Sequence, residues 1–311
     1  MRIDFIKHVP RGGLALTALM TVALTGVVGG AGCAVDSEDT DPSRETDTAD
    51  TADTADTADT ENVGSTTQAF SWGTLTRLNR SHNLPTSANR VDLGTSTGVT
   101  CFLAGVGGNL SSSGGAPGTV PGHTLYTTAN VDVYTADGRW WLQVRSGTGH
   151  GARLSGVAMC VNSIAGQTAE KSWSGGSRVE LATATSARRC YLTRVSNQDP
   201  YYTDNNFSAS TDEVRVWSDG AKWWIGGSGN AHGSARCINV NGSYNYGGLV
   251  GNATMELGYN GGDVQCALTS VGGRFRTNSY DSGVFITYNA GLGRYYMSST
   301  SGKSVTGQCF W

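Results

Sequence analysis

The chain has 311 residues, of which 22 are Lys or Arg and 25 are Asp or Glu, for a formal net charge of −3. Residues 1–61 hold 12 of the acidic and 4 of the basic residues, so residues 62–311 carry 13 acidic against 18 basic, a net of +5. That excess is too small and too dispersed for a nucleic-acid-binding surface, and it is compatible with anionic glycans.

Arg2, Lys7 and Arg11 precede the apolar run from Leu14 to Val28. At 1.5 Å per residue the run is short for a bilayer core of ~30 Å, and it fits the apolar region of a secretory signal peptide. It ends in Gly29-Gly30-Ala31-Gly32-Cys33, which resembles the lipobox of bacterial lipoproteins, with Gly30 where that family has a Leu-like residue. The resemblance covers this segment alone. It implies that residues 1–32 are removed, that Cys33 receives the lipid, and that the chain is held at the outer membrane or cell surface. Ordinary cleavage after a small residue would instead leave it secreted. Lipidation would also account for the one cysteine of seven that falls outside the repeats described next.

Residues 33–69 include Thr-Ala-Asp four times in succession, from Thr48 to Asp59, in a run rich in acids and Thr and lacking aromatics. Such a segment has too little apolar surface to fold and repels itself, so the expectation is a hydrated acidic tether.

Residues 70–311 divide into three related stretches, 70–162, 163–239 and 240–311. In each, an apolar-acid-Leu signature lies eight or nine residues before the first cysteine: Val91-Asp92-Leu93, Val179-Glu180-Leu181 and Met255-Glu256-Leu257. Each then encloses a region between two cysteines, which predicts the pairs Cys101–Cys160, Cys190–Cys237 and Cys266–Cys309. Loops of about 45–60 residues closed in this way stabilise by roughly 4 kcal/mol each in the chain-entropy model. The wide spacing does not suit zinc, and no metal site or cofactor is expected. Short apolar runs between Gly-rich turns predict an all-β fold with about four or five strands per repeat. The Gly/Ser/Pro-rich insertion between Gly107 and Asn130 reads as a loop. The repeats either close around an axis, as trefoils and β-prisms do by analogy of architecture alone, or stand as three disulfide-stapled sheets in a row.

Every repeat contains a hairpin. Val131–Tyr134 and Arg139–Leu142 flank Asp137-Gly138, and Val214–Trp217 and Lys222–Ile225 flank Asp219-Gly220, both signals of type I′ turns. Arg294–Met297 closes the third, after a longer turn. Strand alternation assigns Trp140, Leu142, Trp223, Ile225, Tyr295 and Met297 to the core. The opposite face then presents Arg139 with Trp141, Lys222 with Trp224, and Arg294 with Tyr296, joined on the partner strand by Tyr134 and Trp217. An aromatic ring beside a cation is suited to stacking on a sugar and donating to its hydroxyls, and three copies would add avidity. These eight residues are the candidate ligand contacts. Two plainer roles compete: the rings pack between repeats, and Asp92, Glu180 and Glu256 pair with the three basic residues across the strands.

Catalysis has little support. His82, His123, His150 and His232 are scattered, and Asp199, Asp204, Asp212 and Glu213 are neighbours in one repeat only. The terminal Phe310-Trp311 resembles the closing signal of outer-membrane barrels, but strands without a lipid-facing band argue for rings that close the core beside Cys309. The sequence therefore predicts a non-catalytic, exported, lectin-like module. Its partner would be a glycan or cell-surface polymer, its membrane contact the N-terminal lipid alone, and nucleic acid no partner. A structural coat protein and a polysaccharide-acting enzyme are the alternatives.

Overall fold

The computed structural model describes residues 75–81, 89–111, 119–120, 123–124, 129–145, 152–162, 165–197, 207–229, 231–259 and 264–311. The expected signal peptide, Cys33 and the acidic tether, together with His82, His150, Asp199 and Asp204, lie outside the described residues.

All regular elements among the described residues are strands. The first repeat contributes β1 (Thr76–Ser81), β2 (Arg90–Thr95), β3 (Thr100–Gly108), the two-residue strands β4 (Thr119–Val120) and β5 (His123–Thr124), β6 (Asn130–Ala136), β7 (Arg139–Arg145) and β8 (Arg153–Val161). The second contributes β9 (Lys171–Trp173), β10 (Val179–Thr183), β11 (Arg188–Asn197), β12 (Glu213–Ser218), β13 (Lys222–Ser228) and β14 (Ala231–Asn239). The third contributes β15 (Ser243–Val250), β16 (Ala253–Tyr259), β17 (Gln265–Gly273), β18 (Gly283–Asn289), β19 (Arg294–Ser299) and β20 (Lys303–Phe310). Apart from the β4–β5 ladder within the first repeat's insertion, each repeat thus has six strands rather than four or five. The extra strands are the edges β1, β9 and β15, whose apolar alternation is confined to single residues such as Leu78 and Trp173 or to the short Tyr244–Tyr246 stretch.

No large sheet is built from one repeat. Their orders are β1-β8-β3-β18-β19-β16, β9-β14-β11-β6-β7-β2 and β15-β20-β17-β12-β13-β10. Each therefore joins the first, last and third principal strands of one repeat to the fourth, fifth and second of the repeat before it. The first repeat's predecessor is the third, through antiparallel pairing of Gly283–Phe285 with Gly105–Gly107. The chain closes into a ring, and the arrangement of three separate sheets in a row is excluded.

The disulfides bond residues directly opposite one another on the third and last principal strands of each repeat: Cys101–Cys160, Cys190–Cys237 and Cys266–Cys309. Such bonds persist in an oxidising environment. Beside them Phe102, Tyr191 and Phe310 meet with ring centroids 5.3–6.4 Å apart. Phe310 supplies in the third repeat the ring that Ala267, next to Cys266, does not. Trp311 does not share that role. It follows the last strand, stays 39% exposed and packs on Tyr244 at 5.1 Å.

The six aromatic and aliphatic residues assigned to the core by alternation are all buried there. The apolar-acid-Leu signature marks a register shift in all three repeats, at Leu93, Leu181 and Leu257. The Leu is the extra, unpaired residue at each shift, and all three leucines are buried. The first hairpin is a type I′ turn, with positive φ at both Asp137 and Gly138. The second is not. The two hairpins have equal length, but in the second Asp-Gly sits one residue earlier. Ser218 pairs with Trp223, the Asp219 amide donates to the Lys222 carbonyl, and the central pair is Gly220-Ala221, of which only Gly220 has positive φ.

Candidate functional site

The outer face expected to bind ligand is largely occupied by its own partners. Asp92 lies cross-strand from Trp141 and its carboxylate meets Arg139 at 2.5 Å. Glu180 does the same opposite Trp224, meeting Lys222 at 2.5 Å, and Glu256 opposite Tyr296, pairing with Arg294. The rings are engaged too. The Arg90 guanidinium lies 4.2 Å from the Trp141 ring centre and that of Arg178 lies 3.8 Å from Trp224. The third repeat has Thr254 at that position, so Tyr296 has no equivalent cap. The Trp141 indole donates to the Ala136 carbonyl, and that of Trp224 to Asp219 at 2.8 Å. Hydrogen bonds from the Lys222 amide and this indole hold the Asp219 carboxyl below its usual range.

Tyr134 departs further from expectation. It is 2% exposed, so it offers no outward ring. It lies on the half of its sheet where Asp132, Gln143 and Arg145 are also buried, so this face is polar without being open. Of the eight candidates, Trp217 alone lines the pocket described next.

That pocket encloses about 630 Å³ and arises from the topology. Strand β12 pairs with β17 only over Glu213–Arg215. Beyond Arg215 the hairpin of β12 and β13 parts from the half-sheet β17-β20-β15, and the cleft lies between them. Trp217 and Trp223 line it from the hairpin, Asn245 and Tyr246 from β15, Gln308 from β20, and Arg189 from the start of β11. Thr185, Ser186, Ser218, Thr269 and Thr306 also line it.

Two buried polar atoms here lack a protein partner among the described residues: the Trp223 indole nitrogen and the Gln308 carboxamide oxygen. The amide nitrogen of Gln308 donates to Asn245 at 2.5 Å, which fixes the orientation of that carboxamide. The Tyr246 hydroxyl donates to the Leu257 carbonyl, and burial raises its pKa, so it remains a donor at neutral pH. Equivalent rings in the other repeats are satisfied. The Trp140 indole donates to the Val99 carbonyl at 2.8 Å, and the Tyr295 hydroxyl to Gln265.

The difference comes from the residue preceding the first cysteine of each repeat: Thr100, Arg189 or Gln265. Gln265 accepts the hydroxyl of Tyr295. Arg189 instead reaches back to the Arg188 carbonyl at 2.6 Å, which corresponds by position to the Val99 carbonyl that Trp140 uses. Sequence reasoning passed over this position because it weighed only the hairpins, although its three identities are visible beside each cysteine.

Of the four neighbouring carboxylates in the second repeat, the two among the described residues have partners of their own. Asp212 is buried and accepts the amides of Ser208 and Ala209, while Glu213 meets Arg215 at 3.9 Å. His232 lies edge-on to Trp173, with ring centroids 6.4 Å apart. Comparison with known proteins finds no matching family model, no matching curated protein and no matching solved structure.

Proposed function

We propose that this chain is an exported, lipid-anchored surface module that binds glycan, without catalysis, in the cleft between the second repeat's hairpin and the third repeat's half-sheet. The carrying observation is one pocket of about 630 Å³ lined by the aromatic residues Trp217, Trp223 and Tyr246 together with Arg189, Asn245 and Gln308. Apolar rings with a few convergent polar groups are the general make-up of a small-ligand site. The lipobox-like segment, the acidic tether and the three disulfides support export and display.

The repeated outer faces are the second candidate, and their arginine-capped rings and ion pairs favour a scaffold role for them. A glycan array with the purified protein tests the proposal against two variants. Trp217→Ala/Gln308→Ala should lose selective binding while its melting curve remains cooperative. Trp141→Ala/Trp224→Ala/Tyr296→Ala should keep it. Binding lost only in the triple variant would move the site to the outer faces. No selective binding by the wild type would leave the coat-protein reading in its place.

A further inference from the structure

We infer that the cleft takes an acidic sugar, one bearing a carboxylate, and that Arg189 reads this group. The inference rests on the glycan-binding reading of the same cleft. Among the described residues lining the pocket, Arg189 is the one charged side chain and none is a carboxylate. Its guanidinium is positioned by neutral groups. Nε donates to the Ser243 hydroxyl, and Nη1 to the carbonyls of Arg188 and Thr185. These bonds orient the plane without neutralising the charge, and none of them uses Nη2. Nη2 thus keeps its N–H groups for a ligand, and a carboxylate oxygen can accept from it in a charge-assisted hydrogen bond.

The corresponding part of the preceding sheet shows the contrast. There Arg236, which corresponds by position to Gln308, meets the Glu170 carboxylate at 3.7 Å. That cation has an internal anion. In the cleft, Gln308 and Asn245 replace the charged pair with a neutral amide pair, and Arg189 brings a cation with no acid beside it. A partly enclosed cation beside aromatic rings and hydroxyls favours an anionic ligand over its neutral analogue, because only the anion offsets the cost of enclosing the charge.

The test uses oligosaccharides of galacturonate, glucuronate and mannuronate, each beside its carboxyl-reduced counterpart, with affinities for the purified protein measured by calorimetry. At least one acid should bind tenfold or more tightly than its reduced form, with an affinity that falls as salt rises. Arg189→Gln should weaken the acid to the level of the reduced sugar and leave the reduced sugar's affinity unchanged. Ser243→Ala, which loosens the guanidinium without removing it, should weaken the acid by a smaller factor and covers the case in which Arg189→Gln fails to fold. Equal binding of acid and reduced forms, lost in Trp217→Ala/Gln308→Ala, would overturn the inference and leave the glycan-binding reading standing. Failure of every sugar here and on the array would overturn both.

Discussion

Trp140 and Trp223 hold the same position in the first and second repeats, and they have different surroundings. Trp140 is fully buried, its indole donates to the Val99 carbonyl at 2.8 Å, and the Arg236 guanidinium lies 5.2 Å from its ring centre. Trp223 retains 7% exposure, its indole has no partner among the described residues, and it lines a pocket of about 630 Å³. The hairpin strands and disulfide are shared, so neither makes the difference. Part of it is Arg189, which takes the Arg188 carbonyl where Trp140 uses that of Val99, and part is the pair that the next repeat supplies: Arg236 with Glu170 in one case, Gln308 with Asn245 in the other. The two repeats thus use one scaffold for two purposes. One ring is held by a charged pair, while the shorter amide pair leaves room beside the other.

The largest expected effect is on stability. Trp140→Ala should cost about 3–5 kcal/mol in urea unfolding, and Trp223→Ala should fall at or below the lower end of that range, because part of its volume already faces the pocket. Equal losses would mean that both rings are core in the same sense. Phenylalanine substitutions sharpen the contrast. Trp140→Phe strands the buried Val99 carbonyl and should cost ~1–3 kcal/mol more than Trp223→Phe, which removes a donor that has no protein acceptor. A third variant converts one environment into the other. Asn245→Glu/Gln308→Arg should place a charged pair in the cleft and abolish glycan binding while shifting stability by about 1 kcal/mol or less, since a paired buried charge is often near neutral.

The smallest effect is a pH dependence confined to the first environment. Burial, followed by the nearby Asp132 carboxylate, raises the pKa of Glu170, and Arg236 at 3.7 Å opposes this without cancelling it. The folded state therefore holds that proton to higher pH than the unfolded chain. The associated stabilisation is complete below the unfolded value of about 4.3 and is lost as pH rises through the raised folded value. Urea midpoints measured from about pH 4 upward should show this decline in the wild type and a shallower one in Glu170→Gln, which can still accept from Thr193. An identical slope in the two proteins would show that Glu170 does not contribute to it.

Much of the fold is legible along the chain because its causes are local. Alternation places Trp140, Trp223 and Tyr295 inside, the cysteine spacing gives all three disulfides, and Asp92, Glu180 and Glu256 pair with the expected cations. The second turn differs from expectation because its Asp-Gly lies one residue earlier relative to the strand pairing, which puts Gly220-Ala221 at the centre. The cleft was not legible for a different reason. It depends on β12 leaving β17 after Arg215, a pairing between repeats that no pattern within one repeat encodes. The burial of Tyr134 is equally non-local, since it lies on a half-sheet whose polar face is closed over.

Ring closure has a consequence for how the chain reaches this state. β3 is complete at Gly108, yet its ladder partner β18 begins at Gly283, so the first sheet lacks half its strands until the last repeat is present. Losing one terminal repeat would therefore break two sheets and leave unpaired edges open to self-association. Folding should be slow and all-or-none, governed by contacts distant in sequence.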